Sequence, residues 1–217
     1  MEGILLVGAG GHARTVADTI ERQGKYQIVG LIDNDRRLGE EVYHSYNIIG
    51  NDGSLKYMYS NGIKYAVICV GQMGNSKVRR RLYRHLKEIG FYLPVIIDDT
   101  AVVANDVSIG EGTYIGRNAV VNVSAKLGKM CIVNTSAVIE HECIVRNFVH
   151  IAVHACVCGQ SVIGNDVFLG ANATVIQQIN LGDGSIIGAG SVVIHDVPKG
   201  YTVMGNPACS RNMEYIR

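Results

Sequence analysis

His141 stands between two carboxylates in the run Asn134-Thr135-Ser136-Ala137-Val138-Ile139-Glu140-His141-Glu142-Cys143. An imidazole flanked by Glu140 and Glu142 has its cation favoured and its ring oriented by a hydrogen bond, which suits a general base. The plain alternative is an exposed histidine in a charged turn. A second constellation is Gly8-x-Gly10-x-x-Ala13 after the apolar run Ile4–Val7, with Asp33 closing the next apolar run. Formally this fits a dinucleotide fingerprint, in which glycine amides approach phosphate at a helix start and the acid takes a ribose hydroxyl. A third is His150, His154, Cys156 and Cys158, all donor types that bind zinc. The two cysteines lie on one side of a strand and the two histidines are offset by four, so three ligands do not converge and no metal is expected. The basic run Lys77–Arg84 reads as a solvated helix face from which Arg79 could reach a substrate phosphate. No serine or cysteine nucleophile with a base beside it is evident.

The elements that must position these residues follow two different rules. From Ile97 to Val193, every sixth position is Ile, Val or Leu without a miss. Neither a helix (period 3.6) nor a flat strand (period 2) makes one aliphatic register at six, so this is a repeat architecture. Four residues after each anchor comes Ala, Ser, Thr or Val, with Cys131, Cys143 and Ile179 as the exceptions. Large and small inward residues alternate, the residues between them turn a corner, and three hexads close a triangular coil of 18 residues. By this ruler His141, two residues after anchor Ile139, is at a corner and points outward. Val197–Ala208 then breaks the period with Pro198 and Pro207, which stop further coiling and protect the last edge.

Residues 1–96 alternate strand and helix. Strands are expected at Ile4–Val7, Ile28–Ile32 and Tyr65–Val70, and helices at about 13–22 and 75–89. Such an order implies a parallel sheet with ligands at the carboxyl ends of its strands, where Gly8–His12, Asp33–Asp35 and Gly71 fall. The unit is short of the strands of a full dinucleotide fold, and redox chemistry would leave the hexads unexplained. The 217 residues can hold two cored domains, and a net charge of +1 favours neither nucleic acid nor an anionic membrane. MEGILLVGAGGHA lacks a basic leader, and no apolar run spans a bilayer, so no signal peptide or membrane insertion is expected. Six cysteines are too sparse for a disulfide scaffold, and reduced cytosolic thiols are the default.

The hexads resemble the left-handed parallel β-helix of the hexapeptide-repeat acyltransferases. The ending Val197–Ala208 looks like that family's VPxGxxVxGxPA segment. Across nearly the whole chain, from the GAGGH segment through NTSAVIEHECIVRNFVHIAVHACVCG to the GNPA ending, the sequence closely resembles the nucleotide-amino-sugar N-acetyltransferases. That family includes proteins described as sialic acid O-acetyltransferases. The resemblance implies a Rossmann-like βαβ domain at 1–96 followed by an all-β left-handed β-helix at 97–217. It implies transfer from acetyl-CoA, without a metal, to the 4-amino group of a UDP-, dTDP- or GDP-linked 4-amino-4,6-dideoxy sugar, in the cytoplasm, by a homotrimer with sites between subunits.

Carried over by position, His141 is the base and Glu142 the acid that raises its basicity, while Asn134 lines the sugar site. His150 contacts acetyl-CoA near the thioester, and Gly159, Ala171 and Ala189 contact its length; the family usually has glycine where Ala189 stands. Gly10, Gly11 and His12 approach phosphate or sugar, Asp33, Asn34 and Asp35 address the nucleoside, and Gly71 leaves room for it. The rivals are O-acetylation of a sugar hydroxyl, a non-catalytic nucleotide-sugar-binding protein, and, more remotely, a zinc hydratase.

Overall fold

A computed structural model describes residues 1–210. The chain divides into two compact units, one of Met1–Gly71 with Lys77–Asp99, the other of Gln72–Ser76 with the chain from Thr100 onward.

The first unit is a five-stranded sheet with β1 (Glu2–Val7), β2 (Tyr26–Ile32), β3 (Glu41–Tyr43), β4 (Tyr46–Gly50) and β5 (Tyr65–Ile68) in the order β3-β4-β2-β1-β5. β1, β2, β4 and β5 are parallel, and β3 is antiparallel to β4. Ile4, Leu5, Leu6 and Val7 are all buried, the continuous apolar run of a strand covered on both faces. The helix α1 (Gly11–Gln23) buries Ala13, Val16, Ala17 and Ile20, one stripe at helical spacing, and ends on Gly24 in the left-handed conformation. After the short α2 (Leu55–Ser60), α3 (Lys77–Ile89) buries Leu82 and Leu86. The loop after β1 depends on Gly8, whose φ is 103°. A Cβ there would lie 2.6 Å from Val70 Cγ2, so only glycine lets this loop close on the chain after β5.

The three expected strands and two helices are present, with ends shifted by a few residues. The β3–β4 hairpin and α2 were not anticipated. The hairpin turns on His44 and Ser45, both at positive φ (44° and 68°). Such a turn is normally announced by Asn-Gly or Asp-Gly, so the sequence carries no signal for it.

The second unit is a left-handed parallel β-helix built from two-residue strands, each ending on one of the six-residue anchors. Val102–Val103 and Val138–Ile139 belong to a first face, Ser108–Ile109 and Ile144–Val145 to a second, and Tyr114–Ile115 and His150–Ile151 to a third. Every strand pairs in parallel with the strand 18 residues away, as Val121 does with Ile139. Anchors from Ile115 to Val193 are at most 4% exposed, and Cys131 and Cys143 are fully buried in the small inward places. Three residues after each anchor from Ile109 to Val175, and after Leu181 and Ile187, the backbone turns through positive φ, as at Ser124 (59°), Glu142 (60°) and Gln160 (61°). At the far end Thr202–Met204 joins the third face, and Cys209–Ser210 pairs antiparallel on it, covering the edge. All six cysteines are free thiols. Among the described residues no helix is long and apolar enough to cross a membrane.

Ile163 is fully buried and stacked between Val145 and Leu181. Ile163→Ala should leave an unfilled gap between coils and cost about 2–5 kcal/mol. A lowered denaturant midpoint in equilibrium unfolding checks this.

Candidate active site

His141 is placed by the corner that follows Val138–Ile139 on the first face. Ile139 and Cys143 are both fully buried, so the three residues between them must turn outward. The Glu142 backbone completes the turn at φ 60°. His141 and Glu142 are thus neighbours on an exposed rim, with side chains 49% and 54% accessible. His141 Nδ1 lies 3.1 Å from Glu142 Oε2. An ionised carboxylate can only accept, so Nδ1 carries the proton and Nε2 presents its lone pair. The bond to His141, followed by one from Gln160 Nε2 (3.1 Å), lowers the pKa of Glu142 and keeps it ionised.

The two flanking carboxylates have separate tasks. Glu140 Oε2 accepts from the His141 backbone N–H (3.3 Å) and from Asn122 Nδ2 (3.0 Å), so it ties down the main chain of the corner. Glu142 holds the ring.

One coil further on, Gly159 occupies the corner place that His141 fills on its own coil. A Cβ at 159 would lie 2.5 Å from His141 Nε2 and 2.6 Å from Cε1. The missing side chain is therefore the seat of the imidazole, on the side of its proton-accepting nitrogen. This role was not apparent from the sequence, which linked Gly159 only to the cofactor. Adding 18 to 141 would have found it.

The remaining expected residues do not gather at this corner. Ala171 and Ala189 follow the third face, on consecutive coils of a different corner, and Asn134 begins that same corner one strand residue after Val133. Asn134 Oδ1 accepts from the Thr135 amide (2.8 Å). His150 is on the third face itself, edge-on to Phe168 with ring centroids 5.3 Å apart. Its Nδ1 donates to the Gln72 carbonyl (2.7 Å), and Gln72 Nε2 in turn donates to the Phe148 carbonyl (2.5 Å). Within one chain the set is split between two corners and a face. Among the described residues no group of three or more His, Cys, Asp or Glu could hold a metal ion.

In the first unit, the carboxyl ends of β1 and β2 border a small cavity of about 110 Å³ lined by Gly8, Asp33, Asn34, Asp35, Asp52 and Arg81, among others. Gly10 caps α1 without a side-chain hydrogen bond, and nothing stands within 4 Å of a Cβ at Gly10, Gly11 or Gly71. The first turn of α1, with Gly11 and His12, thus opens where the sequence expects phosphate.

Asp33 accepts at Oδ2 from the Ala9 amide (2.8 Å) and at Oδ1 from the Asp35 amide (2.9 Å). It binds the two loops together, and each of its oxygens keeps a further lone pair. Asn34 pairs with Asp52 through its side-chain amide, donating to Oδ2 (2.9 Å) and accepting from the Asp52 backbone (3.0 Å), and Arg81 Nη2 is 3.7 Å from the same Oδ2. Asp52 and Arg81 were not singled out from sequence, because the unforeseen β4–α2 segment carries one of them in. Arg79 is a correction. It is 1% exposed, so it does not belong to the solvated basic face that Lys77, Arg81 and Arg84 form. Burial raises the Cys69 thiol pKa, and the Arg79 guanidinium partly offsets it.

The comparisons match both halves of the chain. Residues 3–86 match the PglD N-terminal domain family, residues 106–141 the hexapeptide repeat of succinyl-transferase, and residues 160–195 the bacterial transferase hexapeptide. No curated protein matches the sequence significantly. Among solved structures, the acetyltransferase domain of PglB from Neisseria gonorrhoeae FA1090 is 33% identical, with a TM-score of 0.90 over 97% of this chain and 100% of that one. The same domain in complex with acetyl coenzyme A gives 34% and 0.89 over 97% and 99%. PerB from Caulobacter crescentus, in complex with CoA and GDP-perosamine, gives 27% and 0.88 over 98% of each chain. With a relative of this identity matched end to end, the chain belongs to the hexapeptide-repeat, left-handed β-helix family of nucleotide-amino-sugar N-acetyltransferases, enzymes that use acetyl-CoA as co-substrate.

Proposed function

We propose that this enzyme acetylates the 4-amino group of a nucleotide-linked 4-amino-4,6-dideoxy sugar, with His141 as the general base. The observation that carries the reading is the His141–Glu142 pair, which leaves Nε2 as the proton acceptor of a half-exposed ring. In the transfer, the sugar amine attacks the carbonyl carbon of the acetyl thioester while Nε2 removes its proton. Glu142 steadies the imidazolium that forms. A backbone N–H stabilises the tetrahedral oxyanion, and the C–S bond then breaks, the thiolate leaving with the proton that His141 returns. The PerB complex with GDP-perosamine supports a nucleotide amino sugar as acceptor, and the PglB complex supports acetyl-CoA as donor.

Residues 1–96 hold the nucleotide sugar and residues 97–217 carry the transfer. Gly10, Gly11 and His12 approach the phosphates, Asp33, Asn34 and Asp35 address the nucleoside, and Gly71 leaves room for it. Asn134 lines the sugar. His150, Gly159, Ala171 and Ala189 contact acetyl-CoA. Because these residues lie on separate corners of one β-helix, the complete site draws on two subunits of a homotrimer. Free thiols throughout suit the reducing cytoplasm as its place of work.

Purified enzyme given acetyl-CoA and UDP-, dTDP- and GDP-4-amino sugars should release free thiol with one of them; turnover with sialic acid and none with any amine would instead indicate O-acetylation. His141→Ala should lower kcat by about 10²–10⁴-fold, the usual contribution of a positioned base. Gly159→Ala should push the ring from its seat and lower kcat by at least about ten-fold while the fold, read by circular dichroism, is unchanged. Inactive His141→Ala and Ala171→Trp subunits, co-expressed, should recover part of the activity if one site takes these two residues from different chains. Recovery of nothing from verified mixed trimers would place both on one chain's site.

A further inference from the structure

Above Glu142, the same corner place is filled by Gln160 and then Gln178, each 18 residues on. Gln160 Nε2 donates to Glu142 Oε2 (3.1 Å), and Gln178 Nε2 donates to Gln160 Oε1 (2.9 Å). The oxygen that Gln160 reaches is the one that accepts from His141 Nδ1 (3.1 Å). We infer that Gln178 and Gln160 form a relay that locks the Glu142 carboxylate against His141, making Gln160 a positioning residue for the base. The inference rests on the reading of His141 as the base.

Two features of the row support this. A primary amide has one donor end and one acceptor end. Reversed, Gln160 would present its carbonyl oxygen to a carboxylate, acceptor against acceptor. Gln178 prevents the reversal, because its donated hydrogen bond holds Oε1 on the far side and leaves Nε2 facing Glu142. The second feature is the choice of residue at these places. Positions 142, 160 and 178 have φ of 60°, 61° and 62°, the left-handed region that glycine fills at Gly112, Gly184 and Gly190 in the equivalent places. Met130, Phe148 and His154 hold the same conformation at other corners, so the fold imposes it, and the stacked glutamines are set apart by their hydrogen bonds. Packing does not require them, since both are exposed.

The relay divides the charge of one carboxylate oxygen. With Gln160 drawing on Oε2, Glu142 stabilises the His141 cation less than it would alone, while its direction is kept. The other titratable groups around the corner cannot substitute. Glu140 is committed to Asn122 and the His141 amide, and Lys126 and Asp106 share the groove beside Glu142. Asp106 is taken by Ser124. The thiols of Cys143 and Cys156 are raised by burial and, with Cys158, lie toward Glu140.

The test replaces the amide by a group of the same length that cannot donate. Gln160→Met should lower kcat about ten-fold, as loss of an orienting bond to a catalytic pair does, with the KM for acetyl-CoA within two-fold. The acidic limb of the kcat/KM profile should move up by about half a pH unit, since the undivided carboxylate favours the imidazolium. Gln178→Met should move it in the same direction by less. In a Glu142→Gln background, Gln160→Met should have no further effect beyond two-fold. Titration of the His141 ring followed by NMR in the intact protein, without substrate, should show the same upward movement.

An unchanged ring titration in both methionine variants, or an equal kcat loss with and without Glu142, would overturn the relay. The base reading fails separately, if His141→Ala retains activity, and the NMR comparison still decides whether Gln160 acts on His141.

Discussion

A coil of the β-helix can be added only if its side chains stack on those of the coil before it. Every consequence of the second unit comes from that constraint. The strands pair residue over residue at an interval of 18, Val138 with Cys156 and Ile139 with Val157, held by backbone hydrogen bonds such as Glu140 N–H to the Val157 carbonyl and Val138 N–H to the Ala155 carbonyl (both 2.9 Å). Anchors lie over anchors and corners over corners. The architecture is quasi-one-dimensional, so a residue's neighbours are known once its register is known. A functional group can then be supported from the coils above and below it without any loop insertion.

The corner of His141 uses this support from two sides. Cys143, buried in an inward place, pulls the chain back toward the core and forces His141 and Glu142 outward. Gly159 removes a side chain from the coil above and so admits the imidazole. Asn122 on the coil below holds Glu140, while Gln160 on the coil above holds Glu142. The exposed rim of a solenoid would normally let a histidine swing through its rotamers. Here hydrogen bonds from neighbouring coils restrain both its main chain and its ring, which limits the entropy lost when a substrate is engaged.

The first unit is organised by a different closure. Gly8 lets the loop after β1 meet the chain after β5, and the Asp33 carboxylate ties the loop after β2 to Ala9 and Asp35. The ends of three parallel strands are thereby gathered around one cavity, the usual place for a ligand on such a sheet. An acid at the end of the second strand invites comparison with dinucleotide sites. Its two oxygens each accept one backbone amide, so this residue also serves the loops themselves.

Much of the second unit was legible in the sequence because its inward places repeat at a fixed interval and tolerate few side chains. The aliphatic anchors, the buried Cys131 and Cys143 and the outward position of His141 follow from that period alone, whereas the end of the coiling was marked by the prolines that break it. In the first unit, α1 and the main strands were legible from apolar periodicity. The β3–β4 hairpin was not, since His44 and Ser45 adopt left-handed conformations without the residues that usually mark them. Which acid holds the imidazole, the seat at Gly159, the stacked glutamines and the burial of Arg79 were decided only by tertiary structure. Register says which residues are neighbours, but side-chain direction, hydrogen-bond partner and steric room at an exposed corner depend on the coils on either side.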